Sequence, residues 1–148
     1  MKKIILASMF LLSPLAIASE TTQPYFMGED VAMVEFGRLV NVARTNAGLN
    51  ALTITNELTC TAQTHALDIG EKRLCSVNPS DGSSPWDIAK RCGTASYGMI
   101  IGCGYQSPND TVQGWLGRQD TKDLLMNPAY KYMGVGMRNN FWTIFFGW

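Results

Sequence analysis

The sequence has one histidine, no run of charge longer than two or three residues, no internal repeat and no low-complexity tract. The missing basic stripe removes the usual footprint of a nucleic-acid or anionic-membrane partner. A single imidazole and no C-x-x-C spacing argue against a thiolate or multi-histidine metal centre. After the N-terminal segment no apolar run is long enough to cross a bilayer, so the mature chain is expected to be soluble and not membrane-spanning.

What is present at the N-terminus is an export signature. Lys2 and Lys3 form a basic n-region, Ile4 to Leu15 an apolar core, and Ala16-Ile17-Ala18 a small-residue cleavage site. This reads as a cleavable signal over 1–18. The competing reading is a short membrane anchor, which Pro14 and the small-residue site disfavour. No cysteine lies near the cut, which argues against a lipid-anchored form. Residues 19–32 read as a lead-in and 33–148 as a single domain. Without Lys2 and Lys3, ten basic side chains face twelve acidic ones. A periplasmic or secreted destination follows from the signal.

Four cysteines remain, Cys60, Cys75, Cys92 and Cys103, and in an exported chain an even number reads as two disulfides. Buried free thiols are the alternative. Of three possible pairings, Cys92 with Cys103 closes the shortest loop between neighbours and leaves Cys60 for Cys75.

Along the chain, Asp30 to Ala47 predicts a helix with an apolar face of Met33, Val34, Phe36, Leu39, Val40 and Ala43, ended by Gly48. A link over Leu49 to Thr55 leads to a second helix, capped by Asn56 and running to Arg73, with Leu58, Thr61, Ala62, His65, Ala66 and Ile69 on one stripe. Ser84-Pro85-Trp86-Asp87 is a capping box for a third helix, and Ser107-Pro108-Asn109-Asp110 opens a fourth in the same way. Met99 to Tyr105 predicts a strand whose Gly102 and Gly104 suggest a close neighbour. Met133 to Arg138 and Phe141 to Phe146 predict a hairpin turning at Asn139-Asn140. Phe141 to Phe146 is apolar on both faces, as befits a central strand. Helices first and a hairpin last give an α+β chain.

These residues, in this order, resemble the CAP superfamily of cysteine-rich secretory, antigen 5 and pathogenesis-related proteins. The resemblance rests on Asn41-x-x-Arg44, Gly48-Leu49, Asn56-x-Leu58, Ala62-x-x-His65-Ala66-x-Asp68-Ile69 and Asp81-Gly82-Ser83-Ser84-Pro85-Trp86. It continues through Gly104-Tyr105, Trp115-Leu116, Asn127-Pro128, Gly134-Val135-Gly136 and Phe141-Trp142-Thr143. It implies a three-layer α-β-α sandwich with a small antiparallel sheet.

The resemblance also implies a cleft with two histidines and a glutamate able to hold a divalent metal. Matching the neighbouring residues places Val77, Met99 and Thr121 at those three positions. A zinc site needs at least three imidazole, thiolate or carboxylate donors, and acid–base catalysis needs a titratable group near the substrate. Val77 and Met99 supply neither and Thr121 is a weak donor. No metal, no cofactor and no catalytic residue are therefore expected at this degenerate cleft.

No other cluster compensates. His65, Asp68 and Glu71 share part of a helical face, yet His65 also lies on the apolar stripe and reads as a core histidine with one hydrogen bond. Asp120, Lys122 and Asp123 read as a solvated loop. Ser76, Ser83 and Ser84 have no base to activate them. The expected function is an exported, non-catalytic domain that binds an apolar ligand, a lipid or a protein partner. Met99, Ile101 and Trp148 are candidates for the groove. The rivals are a secreted hydrolase or protease with a non-standard site, and an interaction or structural protein whose cleft is filled.

Overall fold

A computed structural model describes residues 24–148 of the chain. The signal-peptide reading, and residues 19–23 of the lead-in, lie outside the described residues. Among the described residues, five helices surround one four-stranded sheet: α1 Pro24–Asn46, β1 Thr53–Ile54, α2 Asn56–Lys72, α3 Pro85–Arg91, β2 Gly98–Cys103, α4 Pro108–Leu116, α5 Gln119–Leu125, β3 Tyr132–Arg138 and β4 Phe141–Gly147. Strand order is β1-β3-β4-β2. β1 runs parallel to β3, and the other pairs are antiparallel. The chain is thus mixed α+β, with helix layers on both faces of the sheet.

Side-chain alternation on β3 and β4 builds both layers. Met133, Val135, Met137, Trp142, Ile144 and Phe146 join Phe36 and Val40 of α1 and Val112 and Trp115 of α4 in the larger core. Phe36 meets the rings of Trp115 and Trp142 edge-on at 5.3 and 5.4 Å. On the opposite face Phe145 packs with Leu58 and Ala62 of α2, and Met99 leans against them. The second helix buries the expected stripe of Leu58, Thr61, Ala62, His65, Ala66 and Ile69.

That second layer depends on missing side chains. A Cβ on Gly134 would fall 1.9 Å from the backbone carbon of Leu58, and one on Gly136 would fall 2.5 Å from the carbonyl oxygen of Ala62. The backbone of α2 therefore rests on the bare backbone of β3. Thr143 adds a buried tie, donating its hydroxyl to the Ala62 carbonyl at 2.7 Å.

Several sequence expectations need correction. The first helix reaches back to Pro24, through part of the expected lead-in. Glu29, buried, draws this turn onto the hairpin: it faces the Arg138 guanidinium at 3.5 Å and accepts the Asn139 N–H at 3.4 Å. The link after α1 contains a strand, β1, aligned by Asn41, whose side chain both donates to and accepts from the Leu52 backbone. Thr55, not Asn56, caps α2, because its extended backbone lets the hydroxyl accept the Leu58 N–H. Gln119–Leu125 is helical rather than a loop. Gly104 has open space around it and is explained by its positive φ of 85°, whereas Gly102 does make the expected close approach, to Trp115 and Tyr105. The capping box at Ser84 and Asp87, the hairpin turn at Asn139-Asn140 with both residues at positive φ, and the central position of β4 agree with the sequence reading, whereas at α4 Ser107 caps the Asp110 N–H without the reciprocal bond.

The two disulfides are present but paired differently, Cys60–Cys92 and Cys75–Cys103. Loop-closure entropy grows only logarithmically with loop length, so preferring the shortest loop discriminates weakly. Packing decides instead. The end of α3, at Cys92, lies against the first turns of α2 that carry Cys60. The loop after α2, at Cys75, lies over the end of β2 at Cys103.

Adding one methyl tests the backbone contact between α2 and β3. Gly134→Ala should lower the unfolding free energy by about 3 kcal/mol or more, measured by urea denaturation. Gly82→Ala, in open space but at positive φ, should cost only about 1 kcal/mol.

Candidate functional site

Three elements converge beside the free edge of β2. The loop after α2 brings Val77, β2 itself brings Met99 and Ile101, and α5 brings Thr121. These four residues line one cleft of about 490 Å³, floored by Gly102, Tyr105 and Trp115, with Leu124 beside Thr121 and the Arg118–Asp120 pair at the rim. Glycines make the floor possible. A Cβ on Gly102 would stand 2.9 Å from the Trp115 indole nitrogen, and one on Gly114 would stand 2.5 Å from the Tyr105 ring.

Each wall is held from behind. The Cys75–Cys103 disulfide pins the Val77 loop to the end of β2. Within that loop the Ser76 hydroxyl donates to the Asn78 carbonyl at 2.7 Å and accepts the Asn78 N–H at 3.1 Å. Further along, Ser80 is tied to Asp68 through both its N–H and its hydroxyl, at 2.7 and 2.6 Å. Lys72 reaches the same carboxylate at 2.6 Å and also contacts the Ser80 hydroxyl. Burial pushes the Asp68 carboxyl up, but the Lys72 and Ser80 hydrogen bonds outweigh it and hold it down at about 2.

The α5 wall hangs on Arg44. This buried guanidinium donates to the carbonyls of Asn50, Leu125 and Asn127 at 3.0, 2.7 and 3.0 Å. It thereby fastens the end of α1 to the end of α5. At the other end of α5, the Thr121 hydroxyl donates to the Trp115 carbonyl at 2.6 Å and lies 3.3 Å from that of Arg118. Its proton is thus committed to the turn between α4 and α5.

The donor set does not fit the divalent metal that the resemblance implies. Val77 is aliphatic, Met99 offers a soft thioether, and the Thr121 hydroxyl is engaged elsewhere. No group of three His, Cys, Asp or Glu side chains is arranged to hold a metal among the described residues. The one carboxylate lining the cleft, Asp120, is paired with Arg118 through two hydrogen bonds of 3.2 and 2.9 Å. Arg118 holds its pKa below the ordinary aspartate value, which suits neither a general acid nor an effective base near neutrality.

The other sequence candidates lie elsewhere. Trp148 does not join Met99 and Ile101. It stacks on Tyr97 at 4.2 Å over a separate hollow with Glu57 and Tyr132. His65 is fully buried, edge-on to Phe145 at 6.0 Å, and its ring nitrogens make no full hydrogen bond, contrary to the one expected. Burial lowers its pKa, opposed by a weak pull from the Ser76 backbone and by Asp68. His65 is therefore a neutral core residue. Glu71 and Lys122 are exposed on their helices. Ser83 and Ser84 spend their hydroxyls on Asp81 and Asp87 in the lead into α3. The sequence reading did not single out Arg118, Tyr105 or Leu124 as cleft residues. Only the unexpected helix α5 and the close approach at Gly102 bring them there.

A helix–sheet–helix sandwich whose cleft opens along an edge strand, between the loop after α2 and the α4–α5 turn, defines the class. Residues 38–143 match the family model described as the Cysteine-rich secretory protein family, CAP, and the chain belongs to that family. It is similar to the uncharacterized protein YkwD of Bacillus subtilis, 27% identical over 109 residues, covering 71% of this chain and 42% of that protein. Among solved structures, it is similar to an extracellular protein containing a SCP domain from Bacillus anthracis, at a TM-score of 0.79 and 22% identity, covering 85% of this chain and 43% of that one. It is also similar to an outer surface protein from Borrelia burgdorferi, at a TM-score of 0.67 and 22% identity, covering 78% and 91% of the two chains. The chain thus spans about two fifths of the first two of these relatives.

Buried His65 and half-buried Asp68, both behind the cleft, predict a two-stage acid sensitivity. His65 has a lowered folded pKa, so its contribution to stability is present above about 6.5 and declines as pH falls below it. Asp68 is also lowered, so its contribution is lost between its ordinary 3.8 and about 2. Melting temperatures across pH should show both declines. His65→Leu should flatten only the upper one and Asp68→Asn only the lower one.

Proposed function

We propose that this chain is an exported CAP domain that acts by binding, without catalysis, and that the cleft bounded by Val77, Met99, Ile101 and Thr121 is where it binds. Cleavage after Ala18 would release it to the periplasm or the exterior. The two disulfides suit such a compartment. So do the extracellular and outer-surface descriptions of the two structurally similar proteins.

The observation that carries the reading is the convergence of three non-ligating side chains on one open cleft of about 490 Å³. A space of this size suits a ligand with apolar groups in contact. A filled cleft would leave no such space, which counts against the purely structural reading. A hydrolase or protease would need a nucleophile and a base within reach. His65 is buried in the core, Asp120 is neutralised by Arg118, and the serines considered are used as turn and cap residues.

Placing a charge on the cleft wall tests the reading. A fluorescent fatty-acid analogue should bind the full chain, and Met99→Glu should weaken it at least about tenfold, because a carboxylate would have to be desolvated against the ligand. Val34→Glu, on the exposed face of α1, should leave binding unchanged. Equal binding by the Met99→Glu variant would overturn the site. Turnover of a peptide or ester that survives His65→Ala but not Asp120→Asn would overturn the non-catalytic reading.

A further inference from the structure

The cleft is built along an open strand edge, and that edge identifies a class of ligand. β2 is the last strand in the sheet order β1-β3-β4-β2. Its register with β4 is unbroken from Gly98↔Phe146 to Cys103↔Phe141. One step further, the Gly104 N–H donates to the Asn140 carbonyl at 2.8 Å, which marks a hydrogen-bonded pair. In an antiparallel ladder such pairs alternate with non-bonded ones. Ile100 and Gly102 therefore direct their N–H and C=O groups toward β4, and Met99, Ile101 and Cys103 direct theirs away from it. None of these six outward groups has a hydrogen-bond partner among the described residues. All three residues line the cleft.

Resting on the reading of this cleft as a binding site, we infer that its ligand is an extended apolar polypeptide segment of a partner protein, added as a strand along β2. A hydrocarbon chain can fill the apolar flanks, but along β2 it leaves three N–H and three C=O groups without a hydrogen bond and so binds more weakly than a polypeptide that satisfies them. A polypeptide in extended conformation returns them in register, while alternate side chains enter flanking pockets. The flanks here are apolar. Val77 stands on the α2 side with Met99 and Ile101, and Trp115 and Leu124 stand on the α5 side. A second copy of this chain is a poor occupant, because its own β2 lies between the same two walls. A flexible segment carries no walls. The Cys75–Cys103 bridge closes one end of the edge, so the paired segment is short, about five residues along a strand of this length.

Short peptides selected from a display library against the immobilised full chain provide the probe. Amide hydrogen exchange of the free chain should show fast exchange at Met99, Ile101 and Cys103 and slow exchange at Ile100 and Gly102. A selected peptide should slow the first three at least about tenfold. Ile101→Pro removes one outward donor without breaking a bond to β4, a placement that edge strands tolerate. It should weaken peptide binding at least about tenfold with little change in melting temperature. Methylating alternate peptide nitrogens along one edge should do the same from the ligand side, and methylating the opposite edge should not.

The inference is overturned if the bound peptide leaves Met99, Ile101 and Cys103 unprotected. It is equally overturned if methylation on either edge has no effect, or if no peptide is selected. Should the peptide fail these tests while the fatty-acid analogue binds in a Met99-dependent manner, only the polypeptide inference falls. Should neither probe bind, the binding reading of the cleft falls with it.

Discussion

The backbone of α2 lies directly on the backbone of β3, and the rest of the molecule is arranged around that contact. Gly134 and Gly136 leave room for no side chain beneath Leu58 and Ala62. Gly70, near the other end of α2, repeats the arrangement against Arg138, where a Cβ would come within 2.4 Å of the carbonyl oxygen. The helix is therefore set at both ends against one strand. Its C-terminus then delivers the Val77 loop to the β2 edge of the sheet. Because Cys75 and Cys103 are joined there, the height of α2 above the sheet also sets the width of the cleft. A side chain inserted between α2 and β3 would be felt at the binding site without touching it.

The opposite wall depends on a different kind of contact. Arg44 is a buried charge with no carboxylate partner among the described residues, satisfied by the carbonyls of Asn50, Leu125 and Asn127. Burial lowers its pKa, yet a guanidinium remains charged across the physiological range. Such a group is costly to bury and costly to leave unpaired. It makes a defined junction between α1, the end of α5 and the loop before β3. The two walls are thus fixed by unlike means, one by close backbone packing and one by a satisfied cation.

Much of this was legible in the sequence where a residue type has a single structural use. Ser84-Pro85 and Ser107-Pro108 marked helix starts, Asn139-Asn140 marked a tight hairpin, and the doubly apolar run from Phe141 marked a central strand. The resemblance around Asp81-Gly82 and Gly98 implied a shared cleft for Val77 and Met99, and both line one cleft with Thr121. Other features depend on contacts distant in sequence. The early start of α1 depends on Glu29 meeting the hairpin more than a hundred residues away. The disulfide partners depend on which elements pack together. The α5 helix is short, and its N-cap residue Arg118 makes no side-chain capping bond, so no local signal announces it. Trp148 looked like a groove residue by composition alone, and geometry sends it to another face.

The central proposal is that this scaffold keeps the place of the metal-capable cleft that the resemblance implies, with apolar and hydroxyl side chains in place of its donors. Isothermal titration of zinc into the natural chain and into a Val77→His, Met99→Glu, Thr121→His variant tests it most directly. The account predicts that the variant binds one equivalent, because the three positions face one space, and that the natural chain binds none. One equivalent bound by the natural chain and retained through dialysis, or no binding by a folded variant, would contradict it.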